Sequence, residues 1–376
     1  AFPTTFSGPV IPLLAKLIGI TGIGLTYAIQ LVNILFFLLF PYSFYLFVRK
    51  ISGRKLAALL ATIFVSLPIS PLGETRVQLF FLGSEGAHMA SLSVVPFAIY
   101  SLLTFLHDGG AKNLILASLS AATVALISPF GFFTYIIFAF ITAFSELLLG
   151  KGRLKLVRMV MVFVFAGGLC SFWYNPAFFF WMITGPMGEE IRNTVSRLIP
   201  ISFFTLPVLG VFGYLLFDRK PNLQPVFLAS FYSIAFAFIV WAGGRLFPSH
   251  PSRYVPEFGI SLSLLFGIGL LKLSEYLKTI LAVKFPNLPA FFPSIFLTFL
   301  LGSMVLWVIV GRNSIVTEGM DVLGLWTDVE KGDIWVAKDK FNGAFSLLGY
   351  ITSSVTLAVL GFLGINAKKS ILGRRK

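Results

Sequence analysis

Two short segments of this chain gather the side chains that acid–base and phosphate chemistry need. The first holds Glu74, Arg76, Glu85 and His88. A carboxylate there can act as general base towards a hydroxyl or hold a divalent metal, and Arg and His can neutralise a phosphate. The same residues suit a solvated loop with a helix cap, and spacing alone leaves both readings open. The second holds Arg245, His250, Arg253 and Glu257, stiffened by Pro248, Pro251 and Pro256. Two guanidinium forks and an imidazole fit an anionic head group such as a lipid phosphate. Glu257 begins the next apolar run, where a helix dipole favours negative charge, so capping is open to it as well. A third segment opens with Phe172, Trp173 and Tyr174, an aromatic belt of the bilayer interface, and continues to Glu189, Glu190, Arg192 and Arg197, which read as solvated.

Other chemistries find little support. The chain has no Walker loop, no paired metal-binding cysteines, no His-Glu-x-x-His and no serine elbow. Three histidines are too few to argue for zinc, and the cofactor stays unknown, with a divalent metal ion as the one open option. Cys170, the single cysteine, lies in an apolar run and reads as a small buried hydrophobe.

The elements that must position these residues are membrane spans. Of 376 residues, 57% are hydrophobic and 12% charged, against roughly 25% charged in soluble domains. Apolar runs recur at 25–48, 56–71, 89–106, 114–128, 130–149, 159–174, 200–217, 224–243, 257–273, 291–311 and 343–364. In lipid each must be a helix, because every backbone N–H and C=O has to bond within its own segment. The expected fold is therefore all-α, a polytopic transmembrane helical bundle of about eleven spans forming a single domain over residues 1–376.

Charge placement orients it. A net charge of +14 would point to nucleic acid in a soluble protein, but here the charges sit in short clusters between spans. Threading the spans in alternate directions collects Arg49, Lys50, Arg54, Lys55, Lys112, Lys151, Arg153, Lys155, Arg158, Arg219, Lys220, Lys272, Lys278, Lys284 and the tail from Lys368 to Lys376 on one face, 19 of the 29 basic residues. By the positive-inside rule that face is cytoplasmic, its clusters anchoring the topology near anionic lipid. Nucleic acid is not an expected partner and membrane lipid is. The N-terminus of the chain then lies outside the cytoplasm and the C-terminus inside. The tightest point is Ser128-Pro129-Phe130-Gly131, where two spans need almost no loop between them; one crossing there would invert everything downstream. Residues 1–24 are expected as an interfacial helix or a short re-entrant piece, and 312–342 as a small extracytoplasmic cap. Gly267 and Gly269 read as helix packing. Because the chain opens at Ala1 with no basic n-region or cleavage site, it is expected to be truncated at its N-terminus.

An order of features carries a resemblance over about the first 280 residues. Phe2-Pro3 leads to Pro12-Leu13-Leu14. A span closes with Arg49-Lys50-Ile51-Ser52-Gly53-Arg54-Lys55, and the Glu85/His88 segment is followed by Ser91 to Tyr100. The Leu126-Ile127-Ser128-Pro129 break comes next, and Arg253-Tyr254 precedes a long apolar helix. In this the chain resembles the 6-pyruvoyl-tetrahydropterin synthase-related polytopic membrane proteins, which are similar to GT-C-type glycosyltransferases. That resemblance implies transfer of a sugar from a polyprenyl-phosphate donor on the outer face. It implies Glu74 or Glu85 as the catalytic carboxylate, and Arg76, His88, Arg245, His250 and Arg253 as partners of the phosphate. It implies no pterin chemistry, since the histidine cluster of that soluble enzyme is missing. The acidic motif that GT-C enzymes carry after their first helix would lie upstream of Ala1. Two other readings stand beside this one. A transporter or lipid flippase needs ionisable residues near mid-membrane, where the clearest polar residues are Gln30 and Asn33. A non-catalytic scaffold needs the outer Glu, His and Arg side chains to point apart. Convergence of 74–88 with 245–257 would favour the transferase.

Overall fold

The computed structural model describes residues 8–67, 72–81, 86–148, 154–184, 223–246, 251–284 and 344–373. Every regular element among them is helical: α1 (Val10–Gly19), α2 (Leu25–Ser52), α3 (Lys55–Ser66), α4 (Glu74–Phe81), α5 (Gly86–Asp108), α6 (Ala111–Ile127), α7 (Pro129–Leu148), α8 (Leu154–Cys170), α9 (Pro176–Thr184), α10 (Gln224–Leu246), a 3-10 turn at Pro251–Tyr254, α11 (Val255–Lys284) and α12 (Ala344–Gly373). Five of them, α2, α5, α7, α11 and α12, are long and apolar enough to cross a membrane. The chain is thus an all-helical protein built for lipid. The runs 200–217 and 291–311 and the 312–342 cap lie outside the described residues.

Residue pairs at the two ends of the helices give their directions. At one end His88, in the first turn of α5, meets Phe130 at the start of α7 and Glu257 at the start of α11. At the other, His107 in the last turn of α5 meets Glu146 in the last turn of α7, Lys50 in the last turn of α2 pairs with Asp108, and Arg54 before α3 pairs with Glu275 late in α11. Helices α2, α5, α7 and α11 therefore run one way. Short turns return α3 and α6 the other way, and α8 joins them: Arg158 near its start caps the end of α5, and Cys170 at its end reaches Ala122 late in α6. Gln224, at the start of α10, bonds Glu146 at that same end. Helices α8 and α10 thus run the same way as α3 and α6, and α6 and α7 are two separate elements of opposite sense.

The break between them has a local cause. Ser128 is extended (φ −153°, ψ 130°), Pro129 cannot continue a helix from α6, and its fixed φ suits the first position of α7. Carbonyls in the last two turns of α6 accept from three directions: Gly8 N–H donates to Ile127 O at 3.2 Å, Tyr174 Oη to Ala125 O at 2.7 Å and Cys170 Sγ to Ala122 O at 3.6 Å, the first two of them among the carbonyls that the helix end leaves open. A Cβ on Gly8 would stand 1.7 Å from Leu126 O, so only glycine brings the N-terminal segment that close. Helix α1 then packs Ile11 and Ala15 inward while Leu13, Leu17 and Ile20 stay exposed, combining a docked face with an apolar outer one.

Helix α5 is the hub. Of its most apolar stretch 83% is buried, against 39% for α2 and 17% for α12, so α5 packs on all sides while α12 is peripheral. Apolar burial gains little among lipid tails, and close contact at small residues does the holding. Gly131 of α7 lies against Ser91, Gly267 of α11 against Ala61, and Gly168 of α8 against Thr356 of α12; a Cβ on Gly269 would meet nothing among the described residues. Ser43 Oγ donates to Ser93 O at 2.6 Å, tying α2 to α5. Several elements differ in length from the apolar runs, α3 and α11 among them. Helix α3 stops at Ser66 and rises only about 18 Å, because Pro68 and Pro71 follow it. Helix α11 runs on to Lys284, so Lys272, Lys278 and Lys284 stand on helix instead of on a connector.

Candidate functional site

The first turns of α5, α7 and α11 converge at the end of the bundle opposite the basic clusters. Gly131 lets α7 close onto Ser91, and that approach carries Phe130 and Thr134 to the neighbourhood of His88. The 3-10 turn delivers Tyr254 edge-on to the His88 ring, with centroids 6.2 Å apart, and sets Arg253 over the Phe130 ring at 4.1 Å. Glu257 follows in the first turn of α11. Its Oε1 accepts the Thr134 hydroxyl at 2.8 Å and lies 3.0 Å from His88 Nε2. The imidazole approaches the carboxylate closely without aligning an N–H on it. His88 is 2% exposed and Glu257 0%. His88 Nδ1 and Glu257 Oε2 have no hydrogen-bond partner among the described residues. An imidazole and a carboxylate with unspent polar atoms, beside a guanidinium on an aromatic face, can exchange a proton and meet an anion.

Helix α4 adds a second group. Arg76 is 4% exposed, its guanidinium 4.1 Å from the centroid of Phe37 and 4.3 Å from that of Phe40, with Nη1 donating to Phe37 O at 3.3 Å. Burial pushes its pKa down to about 9, so it keeps its charge at neutral pH. Glu74, also buried, accepts from Gln78 Nε2 at 3.2 Å, one turn along the same helix.

The residues expected from sequence therefore divide. His88 and Arg253 come together around Phe130, and Arg76 enters α2 instead. Glu74 is buried on α4. Glu85 and His250 lie outside the described residues, as do Glu189, Glu190, Arg192 and Arg197; Arg245 is in the last turn of α10, its side chain outside the description. Glu257 does stand where it would cap α11, and it also forms the carboxylate half of the cluster. Trp173 and Tyr174 belong to a turn packed on α6 and α12 rather than to an exposed belt alone, for Tyr174 bonds Ala125 O and Phe172 N–H donates to Ser353 Oγ. Asn175 caps α9 through Phe178 N–H at 2.9 Å, a role signalled by the Asn-Pro pair.

A cluster at the basic end went unread in the sequence. Glu146, 1% exposed, takes His107 Nε2 at 2.8 Å and Gln224 Nε2 at 2.5 Å on Oε1, and Lys155 on Oε2. Arg158 Nη1 donates to Leu106 O at 2.7 Å, capping α5. Lys155 and Arg158 are thus internal fasteners among α5, α7, α8 and α10, not lipid anchors as their place in a basic cluster led one to expect. Sequence held one signal, Glu146 as one of only four acidic residues, with Asp108, Asp218 and Glu275, on a basic face.

Among the described residues no three His, Cys, Asp or Glu side chains gather to hold a metal ion. Neither a protein-family model, nor a curated protein, nor a solved structure matches the chain.

Proposed function

We propose that this protein is a GT-C-like membrane glycosyltransferase that moves a sugar from a polyprenyl-phosphate donor at the end of the bundle opposite the basic clusters. The observation that carries the reading is the meeting of His88 with Glu257. Two polar segments distant in sequence supply a buried imidazole and carboxylate to one point, with Arg253 alongside. In the reaction the acceptor hydroxyl gives its proton to the carboxylate as its oxygen attacks the anomeric carbon. The bond from that carbon to the phosphate oxygen breaks, and the lipid phosphate leaves with the electron pair, its charge met by Arg253 and His88. Glu257 takes the carboxylate role first expected of Glu74 or Glu85.

Convergence of this kind favours an active site over a ligand-free scaffold. A coupled transporter is less well supported: among the described residues the buried acidic, guanidinium and imidazole side chains, Glu74, Arg76, His88, Glu146 and Glu257, all stand within the first or last turns of their helices. Under this reading the basic end is cytoplasmic, the chain crosses eleven times and 312–342 is a small extracytoplasmic loop or cap.

The test is release of radiolabelled sugar from polyprenyl-phosphate donors by the full-length protein in membranes. Transfer by the parent is expected to fall about 100-fold or more in Glu257→Gln and His88→Ala. A folded, inserted protein that transfers from no donor, or a Glu257→Gln variant as active as the parent, overturns the reading.

A further inference from the structure

The basic end of the bundle holds cations that are spent and cations that are open. Lys155 is held by Glu146, Arg158 by the carbonyls that close α5, and Lys50 lies 3.8 Å from Asp108. Around the turn from α2 to α3 the balance is different. Arg54, Lys55 and Lys272 are all exposed, and the carboxylate among them is the half-buried Glu275, with Arg54 Nη2 at 3.7 Å and Lys272 Nζ at 3.4 Å. Three cations thus share one carboxylate, and exposed ion pairs of that length hold their partners weakly. Helices α3 and α11 lie side by side here, Gly267 against Ala61. The apolar stretch of α11 ends at Tyr276, so these charges stand where hydrocarbon gives way to head groups. Leu56 and Leu59 on α3, and Leu273 and Tyr276 on α11, are exposed beside the cations or within one turn of them. Long cationic side chains at such a level reach from an apolar surface towards lipid phosphate.

We infer that the α2–α3 turn and the adjoining stretch of α11 form a binding surface for an anionic phospholipid, its head group taken by Arg54, Lys55 and Lys272 and its acyl chains lying along α3 and α11. A guanidinium fork matches two phosphate oxygens, and two ammonium groups add charge where helices leave the hydrocarbon, the setting that attracts anionic lipid. Glu275 tempers the surface by engaging two of its three cations. The surface is confined to this one place on the basic end, leaves out Lys155 and Arg158, and requires no transfer step.

Native mass spectrometry of the purified full chain in detergent, titrated with phosphatidylglycerol or phosphatidylcholine, resolves the first bound lipid and tests this. The parent is expected to bind its first phosphatidylglycerol at least about fivefold more tightly than its first phosphatidylcholine. The triple variant Arg54→Gln, Lys55→Gln, Lys272→Gln loses that preference. Removing the same charge from the C-terminal tail, with Arg374→Gln, Arg375→Gln and Lys376→Gln, leaves it in place. Glu275→Gln frees two cations and binds phosphatidylglycerol about fivefold more tightly than the parent, with phosphatidylcholine unchanged, a gain that loss of a merely structural ion pair would not produce. All the substituted residues of the surface are exposed or half-buried, so the fold tolerates the changes. A parent without the preference, a surface variant that keeps it, a tail variant that loses it, or a Glu275→Gln protein that binds no more tightly overturns the inference.

Discussion

His88 and Glu257 stand 3.0 Å apart at the head of the bundle, one in the first turn of α5 and the other in the first turn of α11. Their contact joins the central helix to one that reaches it only after five more described helices have intervened. Thr134 completes the link from α7, so three helix starts share one carboxylate. Breaking either partner leaves a buried polar group without its mate. Glu257→Leu is expected to destabilise the protein by about 3 kcal/mol, and a double-mutant cycle with His88→Leu to show coupling of about 1–3 kcal/mol. Unfolding in graded SDS measures both, and additive effects would mean the two side chains do not interact.

At the opposite end Glu146 fastens four helices. Glu146→Gln leaves the half-buried Lys155 beside a neutral amide and is expected to cost about 2 kcal/mol, of which the added Lys155→Met change restores a part. The same SDS unfolding reads it, and a Glu146→Gln protein as stable as the parent would show the cluster to be surface decoration.

Gly131 controls how near α7 comes to α5. A Cβ at that position would lie 1.8 Å from Ser91 Oγ, so Gly131→Ala should push the helices apart at a cost of about 1–3 kcal/mol. It should also depress any sugar transfer by displacing Thr134 and Phe130 from His88. Adding Ser91→Gly frees the space and should recover most of both losses; failure to recover would place the strain elsewhere.

The proposed orientation is open to labelling, since Cys170 is the single cysteine and is buried. In a Cys170→Ala background, a cysteine at Asp108 should react with an impermeant maleimide only from the cytoplasmic side, and one at Asp328 only from outside. Labelling of both from one side would refute the eleven-span threading.

Much of the architecture was legible before any coordinates. Apolar length marked helices, of which five among the described residues are long and apolar enough to cross a membrane, and threading put Lys50 and Lys155 on one face; the structure has both at one end of the bundle, with Asp108, Glu146 and Glu275. The Ser128-Pro129 break stood out because proline cannot follow a helix without ending it. Less legible were α3, whose apolar run continues past the prolines that stop it, and the inner role of Lys155 and Arg158. A basic residue in a cluster looks the same in sequence whether it faces lipid head groups or a buried carboxylate.

For the site, sequence determined which residue types were present and that they clustered in two segments at helix starts, since covalent order and hydropathy are local properties. It also placed Glu257 where a helix dipole favours it. Only the tertiary structure decided that Glu257, rather than Glu74, meets His88, that Thr134 joins them, and that Arg76 turns into α2. Those outcomes depend on which helix starts lie side by side and how closely Gly131 lets them approach, and a distance between helices is set by packing across the whole bundle, which no local stretch of sequence records.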